Sequence, residues 1–176
     1  MVTTSGYSIW LVPNRDSDVF RVFQSHITEI AAECGTHAFI PHVTLLGGIY
    51  ESEVVVHAKM QELVENLRPY QLSLGSVGSN WTHFQILFST VEMTEIVLRA
   101  NLLAQEIFGI DQESYFPHLS FAYGDIPREK VAIIANRLKS MRLMEGVTFD
   151  VVGLELWKCD GRVSDWRRQA VYPLRI

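Results

Sequence analysis

Apolar and polar positions alternate over Tyr7-Ser8-Ile9-Trp10-Leu11-Val12, which predicts a strand ending at Pro13-Asn14. The period then lengthens. Val19, Phe20, Val22, Phe23, Ile27 and Ile30 fall near helical spacing, with Asp16 or Ser17 as cap and Cys34-Gly35 as stop. A strand follows from Pro41 to Gly47-Gly48, and Ser52 opens a second helix that runs to Leu67, before Arg68-Pro69. Tyr70 to Val77 and His83 to Thr90 form a hairpin pattern around a loop from Gly78 to Thr82. Thr94 caps a third helix to Phe108, with Gly109 as its stop, and a strand runs from Pro117 to Tyr123-Gly124. Pro127-Arg128 opens a fourth helix through Arg142, since proline suits a first turn. Val147 to Trp157 and Gln169 to Leu174 are expected as closing strands around a charged loop, Lys158 to Arg168.

This order predicts an α+β fold: two similar lobes of antiparallel sheet forming a central cleft, with helices packed outside. Residues 1–176 read as one domain with an internal pseudo-repeat, because one short stretch is written twice. The first copy, residues 39–48, contains Phe39-Ile40-Pro41-His42-Val43-Thr44-Leu45. The second, residues 115–124, contains Tyr115-Phe116-Pro117-His118-Leu119-Ser120-Phe121. A residue before proline is pushed toward extended backbone, and proline is tolerated where a strand begins. Side chains alternate along a strand, so His42 and Thr44 should share one face and Val43 and Leu45 the other. His118 and Ser120 repeat the arrangement, with Leu119 and Phe121 opposite. A lone His-x-Thr on a strand is ordinarily structural. Two copies with the same leading proline, one in each half, point to a shared site.

Such a site has a definite chemistry. Histidine is the side chain whose ordinary pKa lets acid and base forms coexist near neutrality, so one imidazole can take a proton while the other gives one. Hydroxyls beside them can hold phosphoryl oxygens on which charge develops. The set suits displacement at phosphorus. There is no phosphate-binding glycine loop or accompanying lysine, and no Cys/His or carboxylate spacing that fits a metal, so no cofactor and no metal are expected. His26, His37, His57 and His83 read as structural or surface residues. Net charge is −5, which disfavours a long nucleic acid bound through many phosphates but not a small anion held by directed donors. No apolar run reaches the length of a membrane span, and Met1 to Gly6 has no signal-peptide pattern. Cys34 and Cys159 are expected as free thiols in the reducing cytoplasm, a disulfide between them staying open.

Pro41-His42-Val43-Thr44-Leu45 and Pro117-His118-Leu119-Ser120-Phe121 resemble the paired signatures of the 2H phosphoesterase superfamily. Tyr7 to Pro13, Phe84-Gln85 and Tyr123 make the chain similar to its cyclic phosphodiesterase branch, known from plants and yeasts, over essentially the whole length. The resemblance implies that His42 and His118 are the catalytic acid/base pair, with His118 the base and His42 the acid. It implies that Thr44, Ser120 and Tyr123 hold the phosphate, and that Trp10 and Phe84 wall the base or ribose; Trp81 and Trp166 are weaker wall candidates. It implies a metal-independent hydrolase of small cyclic-phosphate nucleotides; a monomer is expected, with the oligomeric state left open by the sequence. Nucleoside 2′,3′-cyclic phosphates would give 2′-phosphates, and ADP-ribose 1″,2″-cyclic phosphate would give the 1″-phosphate. Two other readings stay open. One is a 2H enzyme acting on RNA ends, which calls for a basic track that Arg162, Arg167 and Arg168 only hint at beside Asp160 and Asp165. The other is a non-catalytic nucleotide-binding module, whose expected sign would be loss of a motif histidine.

Overall fold

The structure, a computed structural model, describes residues 2–142 and 144–175. The strands are β1 (Tyr7–Leu11), β2 (Val43–Ile49), β3 (Tyr70–Gly78), β4 (Leu87–Val91), β5 (His118–Ala122), β6 (Thr148–Val151), β7 (Gly153–Lys158) and β8 (Arg167–Pro173). Among them lie helices α1 (Asp18–Cys34), α2 (Glu53–Asn66), α3 (Glu95–Phe108) and α4 (Arg128–Ser140). The end signals of α1 and α3 act as their chemistry dictates. The Ser17 hydroxyl accepts from the Phe20 amide at 3.1 Å, and Gly35 takes the left-handed conformation (φ 68°) that ends α1. Thr94 and Gly109 repeat both devices on α3.

The fold is α+β, and the two lobes join in one curled antiparallel sheet of order β6-β3-β4-β5-β2-β1-β7-β8. Each half contributes four strands, and the halves meet where β2 pairs with β5. The curl has a visible cause. β6 and β7 stand far apart in the order, yet only Val152 separates Val151 from Gly153 in the chain. Two peptide units span at most about 7 Å, so the two ends of the sheet must approach each other there. The predicted continuous strand from Val147 to Trp157 is therefore two strands, one at each end of the sheet.

Other boundaries differ from expectation, β2 among them, which begins at Val43 rather than Pro41 and leaves His42 just ahead of it. β4 begins at Leu87, not His83, because the Gln85 amide bonds the Thr82 carbonyl and Asn80 bonds Gln85 through both backbone and side chain. Those contacts wrap residues 80–85 into a loop that carries Phe84 outside the ladder. β8 starts two residues early, at Arg167. α4 stops at Ser140 rather than Arg142.

The two faces of the sheet are divided as the alternation predicts. Val43, Leu45, Leu119 and Phe121 are fully buried. α1 packs across β5 and α3 across β2, so each half's helix covers the other half's motif strand. Phe23 of α1 meets Phe121 edge-on at 6.2 Å. Burying Phe23, Ile27 and Ile30 stabilises α1 by roughly 1.5–3 kcal/mol each. With the apolar residues committed to the helices, His42, Thr44, His118 and Ser120 fall on the concave face.

Candidate active site

The same local device sets both histidines. In each copy the chain turns at proline, and the imidazole Nδ1 donates to the carbonyl two residues back. His42 bonds Ile40 at 2.7 Å and His118 bonds Phe116 at 2.8 Å. A carbonyl only accepts, so the proton sits on Nδ1 and Nε2 is left bare in the neutral ring. Antiparallel pairing of Val43 with Leu119 then brings His42 opposite Ser120, and Thr44 opposite His118. The two copies thus face each other about an approximate twofold at the centre of the sheet.

The surroundings break that symmetry. His42 is 3 % exposed; Trp10 stacks on its ring at 3.6 Å and 9°, and the Tyr123 hydroxyl donates to Nε2 at 3.3 Å. Burial drives its pKa down from 6.5 to about 3, with His118 adding to the depression and the Ile40 carbonyl opposing it. His118 is half-buried, flanked by Phe116 at 5.2 Å and Phe88 at 5.3 Å. Its pKa is also lowered by burial, against the Phe116 and Phe84 carbonyls. Burial pushes the Tyr123 phenol up, so it stays a donor.

A cavity of about 450 Å³ opens over this face, and His42, His118, Thr44, Tyr123, Trp10 and Phe84 all reach it. Ser120 is placed beside them but is not a wall residue. It is 2 % exposed, and its hydroxyl donates to the Phe84 carbonyl at 3.2 Å. Trp10 reaches the cavity with both ring faces already covered, by His42 and by Trp157 at 4.3 Å. Trp166 does line the cavity, its Nε1 donating to Thr4 Oγ1 at 2.9 Å, whereas Trp81 lies elsewhere over Arg128 at 4.5 Å.

Further wall residues were not singled out from the sequence: the Thr3-Thr4-Ser5 segment, Tyr7, Ser8, Tyr50, Gln85 and Cys159. Ser8 alone carried a signal, since it shares the Trp10 face of the first alternating strand. Tyr7 opens β1, and the rest sit in an N-terminal segment or in loops, where periodicity says nothing.

Among the described residues no helix contributes to the cavity, and no Lys, Arg, Asp or Glu side chain lines it. Nearby cations are paired outside it: Arg15 and Arg168 with Glu155, and Arg162 with Asp165. His26, His37, His57 and His83 all lie away from it. Among the described residues no group of three or more His, Cys, Asp or Glu could hold a metal ion. Cys34 and Cys159 are free thiols. No helix among the described residues is long and apolar enough to cross a membrane.

Two Pro-His-x-hydroxyl strands, paired at the centre of one curled sheet and opening on a single cavity, are the constellation of a 2H phosphoesterase. The model of the family described as cyclic phosphodiesterase-like protein matches residues 5–172, and the chain belongs to that family, a family of phosphodiester hydrolases. It is 23% identical to the cyclic phosphodiesterase of Arabidopsis thaliana over 173 residues, covering 96% of this chain and 94% of that one. The fold is shared with E. coli LigT, crystallised with 3′-AMP, at a TM-score of 0.57 and 12% identity over 98% of this chain and 99% of that one. It is shared with TT0787 of Thermus thermophilus at a TM-score of 0.63 and 17% identity, over 96% and 97% of the two chains. Kluyveromyces marxianus Usb1 aligns at a TM-score of 0.51 with 15% identity over 99% and 100%.

Proposed function

We propose that this protein hydrolyses small cyclic phosphodiesters without a metal ion. Nucleoside 2′,3′-cyclic phosphates, opened to 2′-phosphates, are the foremost substrates, and ADP-ribose 1″,2″-cyclic phosphate, opened to the 1″-phosphate, belongs to the same chemistry. The observation that carries the reading is the convergence of two imidazoles, each tied through Nδ1 to the carbonyl two residues back, on a cavity that no Lys, Arg, Asp or Glu side chain lines among the described residues. A polyanionic RNA needs a cationic track. A single phosphodiester monoanion can be held by hydroxyls and one imidazolium. E. coli LigT, of the same fold, takes 3′-AMP, ATP and NADP+ in its crystals, which supports a nucleotide in this cavity.

In the reaction a neutral imidazole takes a proton from water as its oxygen bonds to phosphorus. The bond from phosphorus to one ribose oxygen breaks, and an imidazolium protonates that oxygen. Thr44 faces the cavity and donates to a nonbridging oxygen. Ser120 does so by swinging from the Phe84 carbonyl, and Tyr123 by swinging from His42. Family likeness gives His118 the base and His42 the acid. A histidine buried as His42 is becomes an imidazolium only when the substrate phosphate lies against it, which ties acid strength to occupancy. We expect a monomer, and two free thiols suit the cytoplasm.

The test is turnover of a nucleoside 2′,3′-cyclic phosphate, with and without excess EDTA, from about pH 4 to 9, the product read by phosphorus NMR. The expected product is the 2′-phosphate, with activity indifferent to EDTA. Both histidines are depressed in the free protein, so kcat/KM should be bell-shaped with its optimum below pH 6.5. Bound phosphate favours the imidazolium, so the upper limb of kcat should sit at higher pH than that of kcat/KM. Activity abolished by EDTA and restored by a divalent ion would sink the two-histidine reading.

A further inference from the structure

The Trp10 indole is enclosed. It is 2 % exposed, with His42 on one face at 3.6 Å and 9°, and Trp157 on the other at 4.3 Å and 20°. Two rings stacked that closely and nearly parallel cannot share one face, so neither side of Trp10 is left for a nucleobase. The strand order explains the slab. β2, β1 and β7 are consecutive, and the register sets Trp10 between Thr44 and Glu155 on the concave face. His42 and Trp157 are its diagonal neighbours, a separation that aromatic rings bridge.

Both indoles are pinned at their edges. Trp10 Nε1 donates to Ser8 Oγ at 2.8 Å, and Ser8 Oγ in turn donates to the Leu46 carbonyl at 3.3 Å. Trp157 Nε1 donates to Glu155 Oε2 at 2.9 Å. Glu155 is nearly buried and accepts from Arg15 at 3.0 Å and Arg168 at 3.3 Å. The slab thus runs from a catalytic-site histidine to an arginine–carboxylate anchor, with no part free to turn.

We propose that Trp10 is a positioning residue for His42: its indole face holds the imidazole plane and favours the protonated ring, and it does not stack the substrate base. This rests on His42 acting as an acid or base in the reaction above. The groups that face His42 are few. The Ile40 carbonyl takes Nδ1–H, the Tyr123 hydroxyl meets Nε2, Phe39 presents its edge at 5.9 Å, and His118 lies across the cavity. No carboxylate is among them, and the nearest one on the slab, Glu155, is neutralised by two arginines beyond Trp157. An imidazolium at this place has the electron-rich indole face and the Ile40 carbonyl in its favour, against desolvation and a like charge on His118. The indole face contributes most once the cavity is filled and water is gone, because cation–π attraction strengthens on desolvation.

The experiment compares Trp10→Phe and Trp10→Leu with the native protein in two readouts. The first needs no turnover: the His42 imidazole is titrated by NMR with saturating inorganic phosphate present. Trp10→Leu should lower the His42 pKa by about one unit, and Trp10→Phe should restore most of the difference. The second readout is kinetic. Trp10→Leu should cut kcat about tenfold and move the upper pH limb of kcat downward, with KM nearly unchanged and the same for purine and pyrimidine substrates. A His42 titration indifferent to Trp10→Leu, or a base-dependent rise in KM with an unmoved limb, would overturn the proposal in favour of a substrate wall. If Trp10→Leu does not fold, Trp157→Leu makes the same test from the outer face, where the limb should shift in the same direction by less. A protein that shows the NMR shift but does not open cyclic phosphates would refute the proposed reaction while leaving the role of Trp10 intact.

Discussion

The two copies of the motif are alike in chain and unlike in setting. Each puts a proline before a histidine, ties Nδ1 to the carbonyl two residues back, and sends a hydroxyl residue to the same face. Yet His42 is sealed between Trp10, Phe39 and Tyr123, while His118 stays half-open beside Phe116 and Phe88. Thr44 looks into the cavity, and Ser120 is turned to the Phe84 carbonyl. A repeated backbone supplies equivalent positions, and the unrepeated parts decide what each can do. A proton-transfer pair requires inequality, because one ring must be neutral when the other is charged.

Removing either ring is the largest way to break the comparison. His42→Ala and His118→Ala should each lower kcat by about 10²–10⁴-fold, and the double variant should be hardly worse than the weaker single. The contrast between the copies should appear in acid stability. His42 is held neutral well below its ordinary pKa, so the unfolded chain binds its proton first as pH falls below 6.5. Stability contributed by the neutral ring is therefore present above pH 6.5 and is lost toward about pH 3. Tm between those limits should rise with pH less steeply in His42→Ala than in the native protein, and His118→Ala should differ less. Equal slopes in all three would show that the two rings are not unequal.

The hydroxyls come next. In the proposed reaction Thr44→Val and Ser120→Ala each delete a donor to the phosphoryl oxygens, and each should lower kcat by about 10²–10³-fold. They should differ in the loop. Ser120 also ties the Phe84 carbonyl, and the neighbouring Gly124 amide bonds His83 at 3.0 Å. Amide exchange at residues 82–85 and at Gly124 should quicken in Ser120→Ala and stay native in Thr44→Val. Identical exchange in both would mean that Ser120 has no structural task that Thr44 lacks.

What the sequence made legible was local. The doubled Pro-His-x-hydroxyl signature, its face, the four helices and the caps of α1 and α3 follow from rules that act within a few residues. Contacts made by distant pairing were hidden. Trp10 looked like a free aromatic wall because nothing near it in the chain announces Trp157, which reaches it only when β7 docks beside β1. The crossing at Val152 left only a faint trace: the apolar phase slips from Phe149 and Val151 to Leu154 and Leu156 across Val152-Gly153, and it is the pairing of β6 with β3 that splits the strand there. The Thr3-Thr4-Ser5 segment reads as an ordinary polar terminus. It becomes cavity wall because Thr4 pairs with Gly161 and Trp166 donates to its hydroxyl.

The smallest expected effect tests whether the copies communicate directly. Tyr115 opens the second copy, and its hydroxyl donates to the carbonyl of Thr44 in the first, at 3.1 Å across 71 residues of sequence. The phenol is largely buried, which pushes its pKa up and keeps it a donor at every working pH. Phe39, at the same place in the first copy, has no hydroxyl to return the contact, so the tie runs one way. Tyr115→Phe removes one hydrogen bond and little volume, and should cost about 1 kcal/mol of stability. If the bond serves only the fold, kcat should hold while Tm drops. If it also sets the height of Thr44 in the cavity, kcat should fall several-fold beyond the stability loss. Adding Thr44→Val should then erase that fall, because with no hydroxyl to aim there is nothing left for Tyr115 to position. A double-mutant cycle between the two residues measures the coupling. Additive losses in kcat would mean that the copies are joined only through the β2–β5 ladder and act on the substrate independently.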